Sequence, residues 1–192
     1  ATDFSRFRPT YEKTEVLKKK LGLKDKFVVG HIGRFTYAKN HNFLLDVFSK
    51  ISAKRENAIL LLVGDGELHQ AIIDGIKEKG LDGKVVFAGQ VSNPELYYSL
   101  ADVIVIPSIF EGLSLATIES QIAGVPSVVS DAIPEEAVIS NGVRRLKLTD
   151  RSWADVADEI ADMKVFLDER SREYDIRYAV KKLEKWYLKK VE

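Results

Sequence analysis

The sequence predicts an α/β fold: a Rossmann-like, doubly wound parallel sheet of about six strands with helices on both faces, ending in C-terminal helices. Three observations carry that reading. Short β-branched apolar runs recur along the chain, helical periodicities fill the gaps between them, and glycine and polar residues gather directly after each run. The runs are 27–33, 58–64, 84–89, 102–107 and 125–130, each ending in Gly, Pro or a polar residue, and their apolarity is continuous rather than alternating. Unbroken apolarity is the pattern of a strand covered on both faces. A sixth run, 143–148, carries three basic residues and suits an edge.

Residues 1–10 read as a linker and 11–22 as an opening helix. Phe43, Leu44, Val47, Phe48 and Ile51 share a helical face, as do Leu68, Ile72, Ile73 and Ile76. Pro94 suits the first turn of a short helix reaching to about Leu100, and 113–124 forms another helical pattern. Trp153, Val156, Ile160 and Met163, then Ile176, Ala179, Val180, Leu183 and Trp186, give two closing amphipathic helices whose aromatic residues read as packing residues. With no repeat and no Gly/Ser linker, 11–192 reads as one domain.

Composition narrows the function. The 192 residues hold 29 basic and 29 acidic side chains, so the net charge is zero, which argues against nucleic acid as a partner. No cysteine is present, which excludes disulfides, thiolate metal sites and thiol catalysis and fits a reducing compartment. No apolar run approaches the roughly 20 residues of a membrane helix. The first residue is Ala rather than Met, which reads as a piece cut from something longer.

In an open parallel sheet, ligands bind beyond the carboxyl ends of the strands. Gly33, Arg34 and Lys39 follow the first strand, Gly64 to Glu67 the second, and Gly89, Gln90 and Val91 the third. Ser108, Glu111 and Gly112 follow the fourth, and Ser130 and Asp131 the fifth. Arg34 and Lys39 suit a diphosphate as a planar fork plus a point charge, although an exposed loop with two solvated cations has the same sequence. Glu111 and Glu119 stand eight residues apart around a helix start expected near Leu113. Glu119 would face the cleft and accept hydrogen bonds from vicinal hydroxyls; ordinary surface carboxylates remain the alternative. Gly64-Asp65-Gly66 allows a close backbone approach or an ordinary turn. His31, His41 and His69 have no metal-ligand spacing and read as structural.

Together these residues resemble the retaining GT-B glycosyltransferases of family 4, in their C-terminal, nucleotide-sugar-binding domain, and most of all the bacterial capsule and exopolysaccharide enzymes. The matching stretches are DFSRFRP, GRFTYAKNHNFLLDVF, LLLVGDGELH, VVFAGQV, LADVIVIPSIFEGLSLATIE and AGVPSVVSD, from about Asp3 to Tyr187. The most specific feature is the E-x7-E pair, Glu111 and Glu119. The resemblance implies that Arg34 and Lys39 bind the diphosphate and stabilise the leaving group. It implies that Glu111 touches the donor sugar and that Glu119 holds the ribose hydroxyls. Gly112, Leu113 and Ser114 would approach the sugar and phosphates with their backbone, with Leu115 at the same helix start. Gln90 and Val91 would lie against the base, and Gly33 and Gly64 would complete the donor site. Ser114 and Ser120-Gln121 depart from commoner residues of the family.

The same resemblance implies no cofactor and no metal, since no D-x-D motif occurs and Arg and Lys supply the electrostatics. The substrate would be a nucleoside-diphosphate sugar, with uridine favoured over guanosine. A glycan or lipid-linked acceptor would be held by an N-terminal domain that this chain lacks, and any membrane contact would run through that domain. The enzyme would be cytoplasmic, peripheral at the inner membrane face when whole. The isolated piece is expected to bind donor without full turnover, and its closing helices to leave apolar surface uncovered. The alternative is a nucleotide-sugar-binding module without catalysis. A receiver or dehydrogenase domain is opposed by the missing early acidic cluster and the missing G-x-G-x-x-G.

Overall fold

The computed structural model describes residues 2–7 and 11–191. Its centre is a six-stranded sheet built from β1 (Phe27–Ile32), β2 (Ala58–Val63), β3 (Val85–Gly89), β4 (Val103–Ile106), β5 (Ser127–Ser130) and β6 (Val143–Leu146). The spatial order is β3-β2-β1-β4-β5-β6 and every pairing is parallel. The chain therefore winds outward from β1 in one direction, returns, and winds outward again from β4. The crevice between β1 and β4 is the switch point, where such sheets bind ligands.

The unbroken apolarity of the strands has a direct cause. Val29, Leu60, Leu62, Val103 and Val105 enter one core layer, whereas Val28, Leu61, Val63, Ile104 and Ile106 enter the other. The first layer is closed by α2 (His41–Lys54), α3 (His69–Glu78) and α6 (Trp153–Ile160). Phe48 and Ile51 of α2 and Trp153 of α6 are buried there, and the Trp153 indole N–H donates to the Lys147 carbonyl at 2.9 Å. The second layer is closed by α4 (Glu95–Tyr98) and α5 (Leu115–Ile122), with α1 (Tyr11–Lys20) packed at its margin through Leu17.

Several boundaries differ from the sequence pattern, each for a visible reason. α5 begins at Leu115 rather than near Leu113, because Ser114 sits outside the helix as its N-cap. It ends with Gly124 at a positive φ, the Gly124 N–H reaching the Gln121 carbonyl and the Val125 N–H the Ser120 carbonyl. That terminus consumes Val125, so β5 starts only at Ser127. Met163 lies past the end of α6. The expected linker is docked over Thr2–Phe7: Phe7 is buried, and Arg6 pairs with Glu95 at 2.8 Å. Residues 1 and 8–10 of that stretch fall outside the described residues. The last helix, α7 (Ile176–Val191), leaves Tyr178, Val180, Leu183, Trp186 and Leu188 exposed, so its aromatic residues, unlike Trp153, are not core residues. Among the described residues no helix is long and apolar enough to cross a membrane.

Candidate functional site

Because all six strands are parallel, the segments after them converge on one rim. Backbone hydrogen bonds knit the rim together. The Gly33 N–H donates to the Val63 carbonyl and the Gly64 N–H to the Gly89 carbonyl, each at 2.9 Å. The ends of β1, β2 and β3 thus share a continuous floor. Phe35 anchors the first loop: it is fully buried and packs edge-on against His41, His69 and Phe87. Gly64 has φ +137°, and a Cβ on it would lie 2.0 Å from the Gly33 carbonyl oxygen. Gly64→Ala should therefore destabilise the fold by about 3 kcal/mol, combining left-handed strain with overpacking; a urea denaturation midpoint checks this.

Lys39 ends a short 3-10 turn, Tyr37–Lys39, and Asn40 then takes the left-handed conformation that Asn tolerates before α2 begins. The Lys39 stem passes over Gly33, whose missing side chain leaves room: a Cβ there would meet Lys39 Cε at 3.2 Å. The ammonium reaches Glu111 Oε1 at 2.5 Å, and the Ser108 hydroxyl donates to the same oxygen at 2.8 Å. Both partners are mostly buried, their side chains 18% and 14% exposed. The two loops are also tied through the backbone, the Ile109 N–H donating to the Ala38 carbonyl at 2.8 Å. Residues 72 positions apart are thereby brought into contact.

Arg34 occupies a different place. Its side chain is 76% exposed and approaches Glu67 at 3.9 Å, a loose surface pair. With Gly64, Asp65, Gly66 and Gln90 it lines a groove of about 420 Å³. Val91 packs partly buried against the second core layer. Gly112 has open space around it, while Leu113 and Leu115 are exposed at the start of α5. Ser114 is buried and accepts a hydrogen bond from the Thr117 hydroxyl at 3.0 Å. Glu119, further along α5, accepts from the buried Tyr98 hydroxyl at 3.0 Å. Burial raises the Glu119 pKa above the usual carboxylate range, and the Tyr98 hydrogen bond opposes that rise.

The sequence pattern does not reveal Tyr98, Arg6 or the aromatic packing around Phe35. It does place His31 inside an apolar strand and His41 at a helix start, and the structure buries both, with ring centroids 4.9 Å apart. His31 Nδ1 bonds the Val105 carbonyl oxygen at 2.9 Å. Burial first, and the Lys39 charge after it, push the His31 ring down to about 4. Burial, then His31 and Lys39, push His41 to about 3. Among the described residues no three His, Asp or Glu side chains converge as a metal-binding group.

EpsF of Bacillus subtilis, named a glycosyltransferase, is 32% identical over 157 residues, covering 80% of this chain and 41% of EpsF. The UDP-Gal:alpha-D-GlcNAc-diphosphoundecaprenol alpha-1,3-galactosyltransferase of Escherichia coli is 28% identical over 143 residues, 72% of this chain and 37% of the enzyme. The chain thus spans less than half the length of these relatives. Among solved structures, Anabaena HepE in complex with UDP superimposes with a TM-score of 0.73 at 20% identity, over 83% of this chain and 45% of HepE. The sequence profile of the glycosyl transferases group 1 matches residues 13–182. With that match over most of its length, and with the Rossmann-like sheet of the GT-B glycosyltransferases, the chain belongs to the glycosyl transferases group 1 family.

Proposed function

We propose that the chain is the donor-binding half of a retaining, family 4 hexosyltransferase that uses a UDP-sugar to extend a glycan or lipid-linked acceptor during polysaccharide assembly. The observation that carries the reading is the Lys39–Glu111 ion pair over Gly33, beside the Arg34 groove at the carboxyl rim of the sheet. Lys39 and Arg34 neutralise the diphosphate as the sugar–phosphate bond breaks, and so stabilise the departing nucleotide without a metal. Glu111, held at one oxygen by Ser108 and Lys39, orients the sugar. Glu119 holds the ribose, Gln90 and Val91 flank the base, and Gly33, Gly64, Gly112, Leu113, Ser114 and Leu115 shape the surrounding wall. The UDP in the HepE complex and the UDP-sugar in the name of the Escherichia coli relative favour uridine. The acceptor, and any contact with the inner face of the cytoplasmic membrane, belong to a preceding N-terminal domain, so this piece binds donor without full turnover.

Glu111 gives the test. Glu111→Gln releases Lys39 from its carboxylate while weakening a charge-assisted contact to the sugar. The variant should bind UDP at least as tightly as the wild type and a matching UDP-sugar about tenfold more weakly. Titration calorimetry with a panel of UDP-sugars measures both. Absence of UDP binding by the wild-type chain, or an equal change for UDP and UDP-sugar, overturns the assignment.

A further inference from the structure

We propose that Tyr98 is a positioning residue for nucleotide recognition, fixing one oxygen of the Glu119 carboxylate so that the other is presented to the ribose hydroxyls. The inference rests on the ribose role of Glu119 given above and names the group that orders it. Tyr98 lies on α4, a four-residue helix between β3 and β4, with its side chain fully buried. Its ring packs against Phe7 at 6.0 Å in the apolar second layer, alongside Leu100 and Ile118. Phenylalanine would fill that space equally well, and a buried phenol is unfavourable unless its hydroxyl is bonded. The hydroxyl donates to Glu119 Oε2 at 3.0 Å, and among the described residues no hydrogen bond reaches Oε1. One carboxylate oxygen is thus tethered from within the core, and the other is left for a ligand.

The surrounding charges fit the same arrangement. Glu95, one turn before Tyr98, raises the Glu119 pKa, and Arg6 of the N-terminal turn lowers it. Arg6 itself grips Glu95, with Nε at 3.2 Å and Nη2 at 2.8 Å. The groups facing Glu119 are therefore Tyr98 and Glu95 from α4 and Arg6 from the docked N-terminal segment. The tyrosine hydrogen bond favours the charged form that burial opposes. Without it the carboxyl protonates at higher pH, and its remaining oxygen loses a fixed direction.

Titration of the chain with UDP and with 2′-deoxy-UDP isolates the contact, because both ligands share base, diphosphate and phosphate titration. The wild type should prefer UDP by about tenfold, and Tyr98→Phe should reduce that preference to about threefold. Affinity for 2′-deoxy-UDP should stay within about twofold, since phenylalanine keeps the packing. As pH falls the preference should fade, beginning at higher pH in Tyr98→Phe than in the wild type. A preference that Glu119→Gln abolishes but Tyr98→Phe leaves untouched would overturn the positioning role while leaving the ribose role standing. Equal weakening of both ligands in Tyr98→Phe would mark a purely structural tyrosine and overturn it as well. A wild type that does not distinguish the two ligands, or a Glu119→Gln variant that distinguishes them as well as the wild type does, would remove the ribose role itself.

Discussion

Replacing Arg34 and Lys39 together with alanine should weaken UDP binding by about a thousandfold, the expected loss of two charge-assisted contacts to a diphosphate. The two side chains reach that result differently. Arg34 is exposed and only loosely paired, so its removal leaves the fold alone and subtracts a planar donor from the groove. Lys39 is mostly buried against Glu111, so its removal also strands a carboxylate whose remaining partner is the Ser108 hydroxyl. That stranded charge repels the ligand. Adding Glu111→Gln to the double variant should consequently recover part of the affinity, about tenfold. Calorimetric titration with UDP measures both steps, and binding unchanged by the double substitution would refute the diphosphate assignment.

The second large effect is a loss of stability on acidification. His31 and His41 have native pKa values of about 4 and about 3, against an ordinary 6.5. Both rings are neutral when folded, so below pH 6.5 the unfolded chain binds protons that the native chain does not. Stability therefore falls as pH drops from 6.5, and the fall ceases only near the depressed values. At about pH 4.5 each ring should have withdrawn about 2.5 kcal/mol, a large fraction of a typical domain's total. Carboxylates titrate in the same window, so the contribution is isolated by comparison with His41→Phe, whose ring can still pack against Phe35. Urea midpoints at about pH 7 and about pH 4.5 should show the variant losing about 2.5 kcal/mol less than the wild type. Equal losses would mean that His41 carries charge in the native state.

The sheet was legible because its strands are covered twice. Leu60 and Leu61 enter opposite layers, so periodicity gives a continuous run that stands out from the amphipathic helices around it. Ends were harder to read, because they depend on hydrogen bonds that residue type alone does not specify. Val125 looks like the start of a strand yet serves as the last link of a helix terminus. The basic run after Gly142 proved to be an edge strand, as its charges require. In the candidate site, Glu111 and Lys39 could be singled out by position after a strand, and the structure joins them. Tyr98 could not, because the second of two adjacent tyrosines is chosen by the turn of α4 and not by the sequence. Ser120 and Gln121, read as departures from the family pattern, turn out to be buried and fully bonded. Gln121 donates to the Thr117 and Ala137 carbonyls and accepts from the Ile139 N–H and the Ser140 hydroxyl.

β6 closes one side of the sheet with Arg144 and Arg145 exposed. Arg144 Nη1 donates to the Asn141 and Val143 carbonyls, and Arg145 Nη2 to the Asp131 carbonyl. An open strand border is a template on which another chain can add, and fibrous growth starts from such templates. Two molecules meeting along this border would crowd four guanidinium groups together. That repulsion opposes the pairing of like copies there, even in a chain with no net charge.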